Sequence, residues 1–275
     1  MRAAAARRVR ARRSDNLRKR IAALRSPRQR QRAAWFLIDS GSPYTFLDSR
    51  AAARLRLATH EGAAVSGAGG GAVPVRLADR VTFAFDDTRV TFDGVRVADL
   101  SGIEAMIGHR LDGFFGYELL ARFAITFDPD ARRIVFARDA RPRRNDVVMP
   151  IRFGGTKGKW IYVRGFIKVA GVPEQTTEFF VDSGSTDSVN HPLLRRSTAP
   201  LKTITVGNGI GAAGGGGVAG TVETIRFDSL VLHDVDASCC GPLPGTESAI
   251  GAGVLSRFIV TFDYAHARLI LRPRK

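Results

Sequence analysis

Phe36-Leu37-Ile38-Asp39-Ser40-Gly41-Ser42 and Phe179-Phe180-Val181-Asp182-Ser183-Gly184-Ser185 decide how this chain is read. The same four residues follow an apolar triplet twice, and the downstream sequence repeats as well. After the first copy come Phe115-Gly116, Leu120-Ala121-Arg122-Phe123 and Thr126-Phe127-Asp128. After the second come Ile250-Gly251, Leu255-Ser256-Arg257-Phe258 and Thr261-Phe262-Asp263. The Asp-Ser-Gly-Ser copies stand 143 positions apart and the later blocks 135 apart, so the halves of a tandem duplication differ by one loop of 8 residues. One aspartate per half can bring two carboxylates to a single symmetric site.

Between these blocks the apolar runs are short and rich in Val, Ile, Phe and Thr, as in Val81-Thr82-Phe83-Ala84-Phe85 and Arg89-Val90-Thr91-Phe92. β-branched and aromatic runs of this length, separated by turn residues, suit strands, so an all-β fold in two lobes is expected. A chain of 275 residues with 44% hydrophobic content can bury a core in each lobe. The expected boundaries are a basic tail over 1–32, a first lobe over 33–137, a polar linker over 138–146 and a second lobe over 147–275. Each lobe should carry a short helix, at 117–123 and 252–258, and a closing hairpin, at 124–136 and 259–271. The stretch before Asp39 falls in Arg28-Gln29-Arg30-Gln31-Arg32, so the first lobe reads as lacking the opening strand that Trp160-Ile161-Tyr162-Val163 begins in the second.

The formal net charge of +16 sits largely in the tail, where thirteen Arg and Lys meet only Asp15, leaving about +4 for the body. Like charges without an apolar face do not pack, and the tail is expected to be disordered. Three readings of it stay open: nonspecific contact with nucleic acid or an anionic membrane, an organelle-targeting peptide, or a misplaced start. No apolar run approaches the ~18 residues of a membrane span, and no secretory signal is visible, which leaves the compartment unassigned and cytoplasmic only by default. Adjacent Cys239 and Cys240 read as small, partly buried side chains, since a bridge between neighbours is strained. The five histidines lack ligand spacing, and His191, nine residues after Asp182, is more readily structural than a cleft residue. The glycine-rich stretches 66–71 and 209–217 are not followed by Lys-Ser/Thr, so they do not read as phosphate loops. They suit hairpin tips that close over a ligand, with Gly69, Gly70, Gly71, Gly214, Gly215 and Gly216 as flap candidates, against the plainer reading of surface loops.

Apolar-apolar-Asp-Ser-Gly-Ser, then glycines, then apolar-Gly before a short helix, resembles the aspartic proteases. The likeness is to retropepsin-like bacterial members fused in tandem, as in pepsin-like enzymes, and it spans residues 35–272. The resemblance implies a bilobal acid-protease fold in a monomer whose halves form a pseudo-dimer. Asp39 and Asp182 would be the catalytic pair, with peptide or protein as substrate and no metal or cofactor. Ser40 and Ser183 would exchange hydrogen bonds between the lobes, and Gly41 and Gly184 would permit the tight turns. Ser42 and Ser185 would donate to the outer carboxylate oxygens and so favour an acidic optimum. Gly116 and Gly251 would let a strand pass close behind each loop. Asp187 places a third carboxylate near the site. The competing readings are a catalytically silent peptide-binding or dimerisation module of the same fold and, behind it, nucleic-acid binding through the tail.

Overall fold

Each apolar triplet ahead of Asp-Ser-Gly-Ser closes a central strand of its lobe. The computed structural model describes residues 7–10, 19–24, 32–67, 71–85, 88–205, 210–211, 215–240 and 246–274, with side chains from Ala34 onward. Strand Arg32–Ile38 runs parallel to Gly113–Phe115, with Ile38 opposite Phe115. Strand Gln175–Asp182 runs parallel to Ala249–Gly251, with Val181 opposite Ile250. Strands buried on both faces need continuous apolar sequence, which is why both triplets read without alternation.

The remaining pairings recur between the lobes. Phe46–Asp48 lies antiparallel to Gly113–Phe115 and parallel to Val95–Ala98. Val189–Asn190 lies antiparallel to Ala249–Gly251 and parallel to Leu230–Cys239. The all-β, bilobal architecture expected from the sequence is therefore the one observed.

Six antiparallel strands join the lobes, in the order Arg7–Arg10, Arg133–Ala137, Ala124–Asp128, Phe258–Asp263, Arg268–Pro273, Val147–Gly154. At their centre the two repeated Thr-Phe-Asp blocks meet. Thr126 pairs with Thr261, and their hydroxyls are 2.7 Å apart.

Several expectations are corrected. The disordered reading of the tail fails where Lys19–Leu24 pairs with Arg32–Ile38 and Val81–Phe85, and where Arg7–Arg10 pairs with Arg133–Ala137. Ladder bonds are made by backbone groups, so a charged sequence can still complete an open sheet edge. The first lobe thus has its opening strand, and the rest of residues 1–31 lies outside the described residues. The helices are shorter than expected, Tyr117–Leu120 and Ala252–Leu255, because each needs only one turn to bury a pair of apolar side chains. Two further helices, Ser49–Arg54 and Ser101–Ile107, were not anticipated; Asp48 caps the first by accepting from Arg50 N–H at 3.0 Å. Cys239 and Cys240 are joined as a vicinal disulfide rather than standing apart, at the point where the strand Leu230–Cys239 ends.

The first-lobe core centres on Phe115, which is fully buried against the rings of Phe36, Phe83 and Phe85 at 4.6, 4.8 and 5.3 Å. Because Phe115 also aligns the strand behind Asp39, truncating it removes packing and site support together. Phe115→Ala should cost about 3–5 kcal/mol in urea denaturation, whereas Val148→Ala at an exposed position should cost less than ~0.5 kcal/mol.

Candidate active site

The two Asp-Ser-Gly-Ser loops meet between the lobes and hold each other by four reciprocal bonds. Ser40 N–H donates to Ser183 Oγ at 3.0 Å, and Ser183 N–H donates to Ser40 Oγ at 2.9 Å. Ser40 Oγ donates to the Val181 carbonyl at 2.7 Å, and Ser183 Oγ donates to the Ile38 carbonyl at 2.8 Å. Each hydroxyl is therefore satisfied in both roles by the opposite lobe. The carbonyls it reaches belong to the residues just before the aspartates, so the bridge fixes the spacing of Asp39 and Asp182.

The glycines bring the carboxylates together. A Cβ on Gly41 would lie 2.6 Å from Asp182 Cγ, and one on Gly184 would lie 2.6 Å from Asp39 Cγ. Only a residue without a side chain leaves that space to the opposing carboxylate. Gly41 N–H donates to Asp39 Oδ1 at 2.8 Å, and Gly184 N–H donates to Asp182 Oδ1 at 2.9 Å. Behind the loops, Gly116 packs against the carbonyls of Ser42 and Tyr44, and Gly251 packs against the carbonyl of Asp187.

Ser42 and Ser185 depart from expectation. Ser42 Oγ donates to the Tyr44 carbonyl at 2.7 Å, and Ser185 Oγ accepts from Asp187 N–H at 3.2 Å. Both hydroxyls brace their own turns instead of donating to the carboxylates. The charge on Asp182 is stabilised by main-chain donors, since Ser185 N–H reaches Asp182 Oδ1 at 3.1 Å.

Burial pushes the Asp39 carboxyl well above the ordinary range, and the Asp182 charge and a hydrogen bond to Asp182 push it further. Burial also raises Asp182, while the amide of Gly184, the hydrogen bond from Asp39 and the amide of Ser185 oppose it. The same bond raises one partner and lowers the other, as expected when two close carboxyls share one proton. Burial and the mutual charge of the pair thus favour holding one proton between Asp39 and Asp182. Both aspartates are half-buried where the loops meet.

Of the flap candidates, Gly69, Gly70 and Gly214 lie outside the described residues. Gly71 lies against Gly211, and Gly67 against Ile210, so the two glycine-rich stretches touch across the lobes. Gly215 and Gly216 take no part in this contact and stand in open space.

Three features were missed in the sequence. Lys159 of the second lobe donates to the Pro43 carbonyl at 3.1 Å and sits 4.6 Å from the centre of the Tyr44 ring. Its only signal was the Thr156-Lys157-Gly158-Lys159 turn ahead of the strand. Tyr264 is fully buried with the rings of Tyr117 and Phe153 at 5.8 and 5.4 Å. Its hydroxyl has no hydrogen-bond partner among the described residues, and burial, then the Asp39 charge, hold it protonated. Arg96 lies over Tyr44, with its guanidinium carbon 3.1 Å from the ring centre. His191 is structural: Nδ1 accepts from Leu193 N–H at 3.0 Å, Nε2 is 3.2 Å from Thr177 Oγ1, and burial lowers its pKa to about 4. Asp139, Asp263 and His266 could together ligate a cation, but Arg268 already supplies positive charge to both aspartates, at 3.4 and 2.8 Å.

A two-lobed β fold with paired, proton-sharing aspartates at the lobe junction is the arrangement expected of an acid protease. A family profile described as aspartyl protease matches residues 29–119, the stretch that carries Asp39. The match supports an aspartic protease family and a general protease function for this chain. No curated protein matches the chain.

A carboxyl whose pKa is raised by folding binds its proton more tightly in the native state, so its contribution to stability is lost as pH rises through the raised value. Asp39→Asn removes that loss. Its melting temperature should match the wild type below about pH 4 and exceed it increasingly toward neutrality. Thermal scans across that range check the sign; a variant that becomes relatively less stable as pH rises contradicts it.

Proposed function

We propose that the protein is an aspartic endopeptidase in which Asp39 and Asp182 activate one water between them. The observation that carries this reading is the reciprocal Ser40–Ser183 bridge, which holds two buried carboxyls in hydrogen-bond contact. A silent binding module has no chemical need for a buried pair of acids whose desolvation works against stability at neutral pH.

In the proposed reaction, ionised Asp182 takes a proton from water as the water oxygen attacks a peptide carbonyl carbon. Protonated Asp39 donates to the carbonyl oxygen, giving a neutral tetrahedral intermediate. Asp182 then passes its proton to the amide nitrogen as the C–N bond breaks, and Asp39 takes a proton back from a hydroxyl of the intermediate as the new carboxyl forms, which restores the pair. With the touching stretches around Gly71 and Gly211 as its roof, the cleft would hold an extended peptide beneath them, paired with the hairpin edges. The recurring pairings of the two lobes and the repeated sequence blocks favour a duplicated ancestral lobe, the tandem form of the retropepsin-like plan.

Substituting either acid removes the shared proton or its acceptor. Asp39→Asn and Asp182→Asn should each lower kcat by at least about a hundredfold on a mixed peptide library, with folding intact by circular dichroism. Cleavage surviving either change would remove the paired mechanism, and a folded wild type that cleaves nothing would favour the silent module.

The pH profile follows from the same pair. Activity requires exactly one proton on it, so kcat/KM should rise as Asp182 ionises and fall as Asp39 loses its proton. Burial and mutual charge, rather than hydroxyl donors, set the second limb, which should lie well above the ordinary carboxylate value of about 4. A profile that falls off already at that value would contradict the assignment.

A further inference from the structure

The two walls of the cleft carry opposite charge at matching positions. Tyr44 follows the Asp39 loop, and its carbonyl packs against Gly116; Asp187 follows the Asp182 loop, and its carbonyl packs against Gly251. Arg96 pairs in register with Phe46 of the short strand beyond Tyr44, and Ser238 pairs with Asn190 of the short strand beyond Asp187. The first-lobe wall thus presents Arg96 on Tyr44, where the second-lobe wall presents Asp187 accepting from Ser238 Oγ at 3.3 Å.

Arg96 is held but not satisfied. Tyr44 stacks on one face of its guanidinium. Among the described residues no carboxylate lies within ion-pair distance of that group, and none of its side-chain N–H groups donates a hydrogen bond. The carboxylate whose charge it feels, Glu118, is engaged elsewhere: it accepts from Thr45 Oγ1 at 3.1 Å and lies 3.6 Å from Lys159 Nζ. Lys157 Nζ, 5.9 Å from the Tyr44 ring centre, adds a further positive charge nearby. A partly buried guanidinium with unspent donors, made rigid by stacking, is a fork for a planar anion. Tyr44 ties it to the site: Tyr44 stands five residues after Asp39, its carbonyl packs against Gly116 behind the Asp39 loop, and it packs against the same Phe46–Phe114 cluster as Ile210 of the second glycine-rich stretch.

We infer that Arg96, stacked on Tyr44, forms a subsite for a carboxylate side chain of the substrate, which makes this a protease for peptides acidic on the first-lobe side of the cleft. Asp187 repels the same side chain on the other side, so the preference is one-sided and sets the direction in which the peptide lies. Arg96 is a specificity residue and takes no part in the proton transfers.

The inference rests on the proteolytic reading, and its test separates the two. Wild type is profiled on peptides carrying Glu or Gln at each position around the scissile bond, with free and amidated C-termini. Glu should be favoured in kcat/KM by about tenfold on one side of the scissile bond only, whatever the C-terminus, and added salt should shrink the ratio. Arg96→Gln should bring that ratio close to one, while Arg96→Lys keeps part of it. A wild type without the ratio, a ratio unchanged in Arg96→Gln, or a ratio that needs a free C-terminal carboxylate overturns the subsite. Binding of the same labelled peptides to Asp39→Asn, read by fluorescence anisotropy, completes the separation. Tighter binding of Glu peptides that the wild type never cleaves sinks the proteolytic reading and leaves the subsite standing, whereas equal affinity for Glu and Gln peptides sinks the subsite alone.

Discussion

Two serine hydroxyls, each donating to one lobe's opposite and accepting from it, set the geometry on which the site depends. Ser40 and Ser183 reach the carbonyls of Val181 and Ile38, one residue before each aspartate. A shift of either lobe would break a donor and an acceptor together and leave buried main-chain groups unpaired, which is costly for each group. The six-stranded sheet beneath prevents such a shift from the other side, with the Thr126–Thr261 pair at its centre. Position and charge are thereby coupled. Because the bridge holds the lobes together, the carboxyls cannot relieve their repulsion by moving apart, an arrangement that favours one shared proton.

That constraint explains how the supporting residues divide. Glycines stand where the opposing carboxylate leaves no room for a side chain, and amides of the same loops stabilise the charge. The hydroxyls of Ser42 and Ser185, which could have donated to the carboxylates, brace their turns. The asymmetry between the lobes lies two residues further along. Tyr44 gathers Arg96, Lys157 and Lys159, whereas Asp187 stands in the corresponding place on the other wall. Two symmetric Asp-Ser-Gly-Ser loops are thereby flanked by surroundings of unequal charge.

Much of this was legible in the sequence because it is carried by repetition. Two copies of Asp-Ser-Gly-Ser, each with its apolar-Gly block, marked the two equivalent lobes, and short apolar runs suited strands. What stayed hidden depends on partners distant in the chain. Lys159 reaches Pro43 only across the lobes, and Arg96 reaches Tyr44 only once Val95–Ala98 pairs with Phe46–Asp48, and no local pattern announces either contact. The hydroxyl directions of Ser42 and Ser185 are set by turn geometry, which residue identity does not encode. Lys19–Leu24 was misread because charge was weighed against packing, while strand pairing asks only for free backbone groups.

The shared proton can be observed directly by following the aspartate carboxyl carbons of the folded protein by NMR as pH is varied, in the wild type and in Asp182→Asn. The account predicts two linked titrations in the wild type, with the Asp39 step well above the ordinary carboxylate range, and a fall of that step when the Asp182 charge is removed. Two independent titrations in the ordinary range, unchanged for Asp39 in the variant, would contradict it.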